Sequence, residues 1–193
     1  MTKSNIFKIL LISFLISAIY YLFHPNVIVQ GVTAGDFGEA LAAHRKEVLS
    51  LENIKDEIVR VGKAVKSDVV GKSFSNWGFR YLVKAPLTEE MVFRGVFVLL
   101  PALLLPAQKI AIKVNWINVL LWVALFISSA IWAADHGYPH FPEFMVMWGG
   151  LINGGFIIYA PHTMPGKAVG ILIAIGLHAL ANFFYVILFC LLF

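Results

Sequence analysis

The sequence predicts an all-α, polytopic membrane protein with about five transmembrane helices and one amphipathic helix in its N-terminal third. Of 193 residues, 60% are hydrophobic and only 13% are charged, against roughly 45–50% and about 25% in an ordinary soluble domain. The apolar residues also gather in long runs that lack Asp, Glu, Lys and Arg and show none of the alternation of barrel strands. Disorder, a secreted disulfide scaffold and most soluble enzymes are excluded on these grounds. The single cysteine, Cys190, cannot form an internal disulfide. A net charge of +4 without a dense basic stretch points to anionic lipid headgroups as the partner, not to nucleic acid.

The first span is Ile6–Phe23, preceded by Lys3. Tyr20, Tyr21, Phe23 and His24 stand where a signal peptide would carry small residues, so residues 1–23 are expected to be a retained membrane anchor. Residues 24–78 form the second expected unit. Within it, Asp36–Lys66 is strongly polar, and Phe37, Leu41, Val48, Leu51, Ile58 and Val65 recur at spacings of three, four or seven. That pattern predicts one amphipathic helix, which lies on the membrane, covers the bundle or simply connects through solvent. His24, His44 and His162 read as solvated, and Gly71, Ser73, Ser75 and Gly78 as a linker. Residues 79–193 are the third unit, with spans at Pro86–Leu105, Val114–Ala134, Phe144–Ala160 and Ala168–Phe193.

Ionisable residues inside spans cost on the order of 3 kcal/mol each and therefore mark sites. Glu90 and Arg94 are four apart and share a helix face, while Glu89 lies about 100° around the helix. Arg94 thus neutralises one carboxylate and leaves the other free. Trp132 and His136 share a face at the end of the third span, and His178 and Asn182 do so about ten residues into the last one. A carboxylate and two imidazoles are parts of water-activating sites, whereas H-E-x-x-H and G-x-S-x-G are both absent. Pro101 and the glycines Gly149, Gly150, Gly154 and Gly155 read first as packing features.

Glu-Glu-x-x-x-Arg, aromatic-x-x-x-His and His-x-x-x-Asn, in that order on three spans, resemble the CPBP membrane proteins, a family that includes CAAX prenyl proteases and bacteriocin-processing enzymes. The resemblance covers about Phe79 to Phe193. Trp132 departs from the family's usual Phe, a change expected to affect packing around His136 and not the chemistry. The resemblance implies a glutamate-dependent intramembrane endopeptidase acting on a membrane-anchored protein or peptide, prenylated CAAX termini included. Glu89 and His136 would activate water, His178 and Asn182 would stabilise the oxyanion, and Glu90 with Arg94 would hold the helix and tune Glu89. Glu89, His136 and His178 also form a donor set for Zn²⁺ or another divalent metal, so metal-dependent and metal-independent chemistry both stand.

Two other readings accompany the protease: a non-catalytic family member acting as an immunity or scaffold protein, and a small proton-coupled transporter. The expected location is a bacterial-type plasma membrane. Lys109, Lys113 and Lys167 favour a cytoplasmic N-terminus, whereas eight Lys/Arg from Arg45 to Arg80 favour the reverse.

Overall fold

The computed structural model describes residues 2–104, 116–161 and 163–192, and all regular elements among them are helical. Helix α1 spans Lys3–Leu22, α2 Pro25–Ala34, α3 Phe37–Val48 and α4 Leu51–Val69. A continuous helical run, α5, follows as Phe74–Gly78, Phe79–Lys84, Ala85–Glu89, Glu90–Leu99 and Leu100–Leu104, its second and fourth segments π-helical. Trp116–Asp135, His140–Tyr159 and Met164–Leu192 are α6, α7 and α8.

Four helical stretches among the described residues are long and apolar enough to cross a membrane: Lys3–Thr33, Trp116–Asp135, His140–Tyr159 and Met164–Leu192. The fifth expected span is helical up to Leu104 and is the charged one, carrying Glu89, Glu90 and Arg94. Leu105, Val114 and Phe193, at the ends of expected spans, and His162 lie outside the described residues. Polarity is arranged inside out. Phe14, Val96, Leu120, Leu172 and Phe184 are exposed on the outside, while Glu90, Arg94, Ser128, Ser129 and Asn153 are buried. Large exposed apolar surface around a polar interior suits lipid as the solvent. The chain is a polytopic all-α membrane protein.

Helix α7 is the centre of the bundle, packed against α1, α5, α6 and α8. Its glycines permit that approach. A Cβ at Gly154 would stand 2.1 Å from Leu125 Cδ1 of α6, and one at Gly155 would stand 2.7 Å from Ile9 Cγ2 of α1. Gly137, at φ 59°, turns the chain from α6 into α7, a backbone conformation that side chains with a Cβ disfavour. The far end of α7 is closed by fully buried Lys167 of α8, whose Nζ donates to Ile157 O, Ile158 O and Ala160 O at 2.8, 3.1 and 3.0 Å. Carbonyls at a helix end have no intrahelical donor, and this lysine supplies one. It is therefore a packing cation and not a headgroup-facing charge.

The polar segment is two helices where one was expected. Ser50 caps α4 by accepting the Asn53 N–H, and Asn53 Nδ2 donates back to Glu47 O at 3.0 Å, which breaks the helix at Leu49. Of the three placements open to it, α4 takes the covering one. It packs on α7 and α8 and buries Val61, Gly62 and Val69. Glu57 Oε2 accepts the Phe141 N–H at 2.9 Å, capping the start of α7 from another helix. At the other end, Asp68 accepts from Lys72, Arg80 and Tyr81. The expected linker is correspondingly short: Gly71 and Ser73 precede α5, while Ser75 and Gly78 lie within its first turns.

The solvated reading of His24 and His44 is overturned, because both face the junction of α1, α3 and α7. His44 is 7% exposed and its Nε2 meets Tyr21 O at 2.9 Å, while His24 lies 3.4 Å from Glu143. Glu143 also accepts the Tyr20 hydroxyl at 2.8 Å.

Two tests follow from this architecture. Lys167→Met leaves three carbonyls without a donor and is expected to lower stability by about 2 kcal/mol, read as a lower melting temperature in detergent; an unchanged melt contradicts the capping role. The Asp68 carboxyl is held below its ordinary value by the hydrogen bonds from Lys72 and Tyr81. Its contribution to docking α4 is thus complete above the unfolded value of about 4 and lost as pH falls through the lower folded one. Hydrogen exchange over residues 65–81 should accelerate in that acid range, and Asp68→Asn should abolish the pH dependence.

Candidate active site

The three sequence motifs meet on the inner faces of α5, α6 and α8, with α7 behind them. Glu90 is fully buried, and its Oε1 accepts Asn153 Nδ2 and His178 Nδ1, each at 2.9 Å. Its Oε2 faces the Arg94 Nε at 3.5 Å, and Arg94 is fully buried as well. Arg94 Nε also points at Gly150 O, at 3.4 Å. Among the described residues neither terminal guanidinium nitrogen has a hydrogen-bond partner, but the group lies over the Trp132 ring at 4.1 Å, where the aromatic face offsets part of the lost hydration.

Glu89, one residue away, is 27% exposed and faces a different set of groups. Its Oε2 accepts the Trp132 indole N–H at 2.7 Å and lies 4.0 Å from His136 Nε2 and 3.8 Å from His178 Nε2. Each imidazole is anchored through its other nitrogen, His136 Nδ1 to Trp132 O at 2.8 Å and His178 Nδ1 to Glu90. In the neutral rings that donate from Nδ1, both Nε2 lone pairs turn towards Glu89. The gaps of 3.8 and 4.0 Å are too long for direct hydrogen bonds and suit a bridging water. Asn182 donates one amide N–H to Tyr81 O at 2.9 Å and keeps the second.

Trp132, His136, His178, Asn153 and Asn182 border a cavity of about 150 Å³ whose remaining wall is mainly apolar. Val65 of α4 forms part of that wall. The amphipathic helix therefore reaches the site. Tyr138, in the α6–α7 turn, lines the cavity too, and burial pushes its phenol above the ordinary value, with the Glu89 charge adding to the effect.

A metal fits this arrangement poorly. Among the described residues no group of three or more His, Cys, Asp or Glu is placed to hold an ion. Glu89 Oε2 lies 3.8 and 4.0 Å from the imidazole nitrogens, beyond the spacing of about 3.4 Å between ligands that share one tetrahedral zinc at about 2.1 Å.

Three features escaped the sequence. Asn153 is one polar residue in an apolar run, without a partner at helical spacing to mark it. The residue type at Trp132 points to packing, and nothing in the spacing marks the hydrogen bond that its indole N–H donates to Glu89, one that a Phe cannot make. The π-helical turns of α5 have no pattern in the sequence; such turns recur at functional sites.

Comparison with curated proteins and with solved structures returns no match. Residues 72–184, more than half of the chain, match the family described as type II CAAX prenyl endopeptidase Rce1-like. That stretch contains Glu89, Glu90, Arg94, His136, His178 and Asn182. The order of the motifs, their convergence beneath α4 and the family match agree, and the chain belongs to the Rce1-like family of CAAX-type intramembrane endopeptidases.

Proposed function

We propose that the protein hydrolyses a peptide bond of a membrane-anchored protein or peptide, with Glu89 as general base. The observation that carries this reading is the pairing of adjacent carboxylates in opposite circumstances. Glu90 is buried and neutralised by Arg94, whereas Glu89 is accessible and faced by two imidazoles at water-bridging distance. Glu89 takes a proton from water held against His136 Nε2, and the resulting hydroxide attacks the scissile carbonyl carbon. The tetrahedral oxyanion receives the free Asn182 N–H, together with His178 Nε2 when that ring is an imidazolium. The C–N bond then breaks, and the proton held on Glu89 passes to the leaving amine, so that one water is consumed per bond.

The family described above suggests a prenylated CAAX terminus as the substrate class, and the mainly apolar wall of the cavity is suited to an apolar side chain or lipid chain. Lipid and the substrate's anchor are the proposed partners, and a bacterial-type plasma membrane the proposed location. Arg94 and Asn153 hold Glu90, which holds His178, and no metal takes part in this scheme.

The test uses the full chain in phospholipid vesicles with an internally quenched farnesylated CAAX peptide. Glu89→Gln is expected to lower kcat by at least about 100-fold while the protein melts as a folded species, and a chelator should leave wild-type cleavage unchanged. Wild-type rates from Glu89→Gln contradict the assignment, and loss of activity to the chelator, restored by zinc, contradicts the metal-free scheme.

A further inference from the structure

Trp132 touches Glu89, Arg94, His136 and His178. Its indole N–H reaches Glu89 Oε2 at 2.7 Å, its ring carries the Arg94 guanidinium at 4.1 Å, and its carbonyl accepts His136 Nδ1 at 2.8 Å. The rings of His136 and His178 meet it nearly edge-on, with centroids 5.0 and 5.3 Å away. The residue is 5% exposed and lies against Gly150, where an added Cβ would stand 3.0 Å from its ring. The indole is thus held on several sides and cannot swing away from Glu89 without disturbing the buried Arg94.

Any apolar aromatic would satisfy the packing around this ring. Only the N–H is specific, and it points at the one carboxylate that remains accessible. A carboxylate oxygen has two acceptor positions. The indole fills one on Oε2, which lies 4.0 Å from His136 Nε2 and 3.8 Å from His178 Nε2, and leaves the second position of that oxygen for water.

We propose that Trp132 is a positioning residue: its indole N–H locks the Glu89 carboxylate in the orientation from which it receives a proton. This rests on the hydrolytic reading above. Without the N–H, Glu89 is free to rotate on its χ angles, and the base spends most of its time away from the water. Such misplacement lowers the rate of the chemical step without altering how substrate binds, so the loss falls on kcat and not on KM.

Two measurements test it on the full chain in vesicles or nanodiscs. With ¹⁵N-tryptophan labelling, the indole signal that disappears in Trp132→Phe identifies Trp132. This signal is expected to move upfield in Glu89→Gln, where a neutral amide oxygen replaces the charged acceptor, while the other indole signals stay in place. In the second, Trp132 is replaced by 3-benzothienylalanine, which keeps the bicyclic ring and puts sulfur where the N–H stands. With the farnesylated CAAX peptide as probe, kcat should fall about 10- to 100-fold with KM within about twofold of wild type, at an unchanged melting temperature. An indole signal indifferent to Glu89→Gln, or wild-type kcat from the sulfur analogue, overturns the positioning role and leaves the hydrolytic reading intact. Wild-type cleavage by Glu89→Gln overturns both, because the carboxylate being positioned then does no chemistry.

Discussion

A fully buried carboxylate inside an apolar bundle is the constraint on which the rest of this structure depends. Glu90 in isolation would cost several kcal/mol to dehydrate, and three helices bring it partners. Arg94 comes from its own helix, Asn153 from α7 and His178 from α8. Those partners cannot be independently repositioned, because each leaves Glu90 short of a donor or charge if it moves. One consequence is that the His178 ring is fixed through Nδ1, which turns Nε2 to the cavity side. Another is that Arg94, partly under-satisfied, is drawn onto the Trp132 face, and Trp132 in turn reaches Glu89. Anchoring propagates outward from a group that need not itself touch substrate.

The same logic explains why two consecutive glutamates play unlike parts. Neighbours on a helix point to different sides, so one enters the polar interior of the bundle while the other stays partly exposed and faces His136 and His178, which border the cavity. A bundle in lipid has few ways to keep an accessible carboxylate close to imidazoles without also burying charge, and a paired acid next door provides the rigid frame. Helix α4 completes the enclosure by placing Val65 against the cavity, tied to the bundle through Glu57 and Asp68. An aqueous reaction in a membrane needs water admitted in small number, and a covering helix limits access from one side.

Much of this was legible in the sequence because the membrane imposes simple rules. Uncharged runs located α1, α6, α7 and α8 to within a few residues, since only helices satisfy their backbones in lipid. The start of α7 was misplaced to Phe144 because Glu143 interrupts the apolar run, and only the fold reveals that Tyr20 and His24 partner it. Motif residues four apart could be read as shared faces, which is why Glu90 with Arg94 and His178 with Asn182 stood out. Asn153 and the covering role of α4 depend on contacts between helices far apart in sequence, and no local spacing encodes them. The break at Ser50 was likewise hidden, because the apolar stripe continues in register across it.

Paired thermal melts of Glu89→Gln and Glu90→Gln in the same detergent test the central division most directly, since it assigns stability to one carboxylate and chemistry to the other. The account predicts that Glu90→Gln, which leaves buried Arg94 without its counter-charge, loses about 3–5 kcal/mol, whereas Glu89→Gln melts with the wild type. Equal melts, or the larger loss at Glu89, would contradict it.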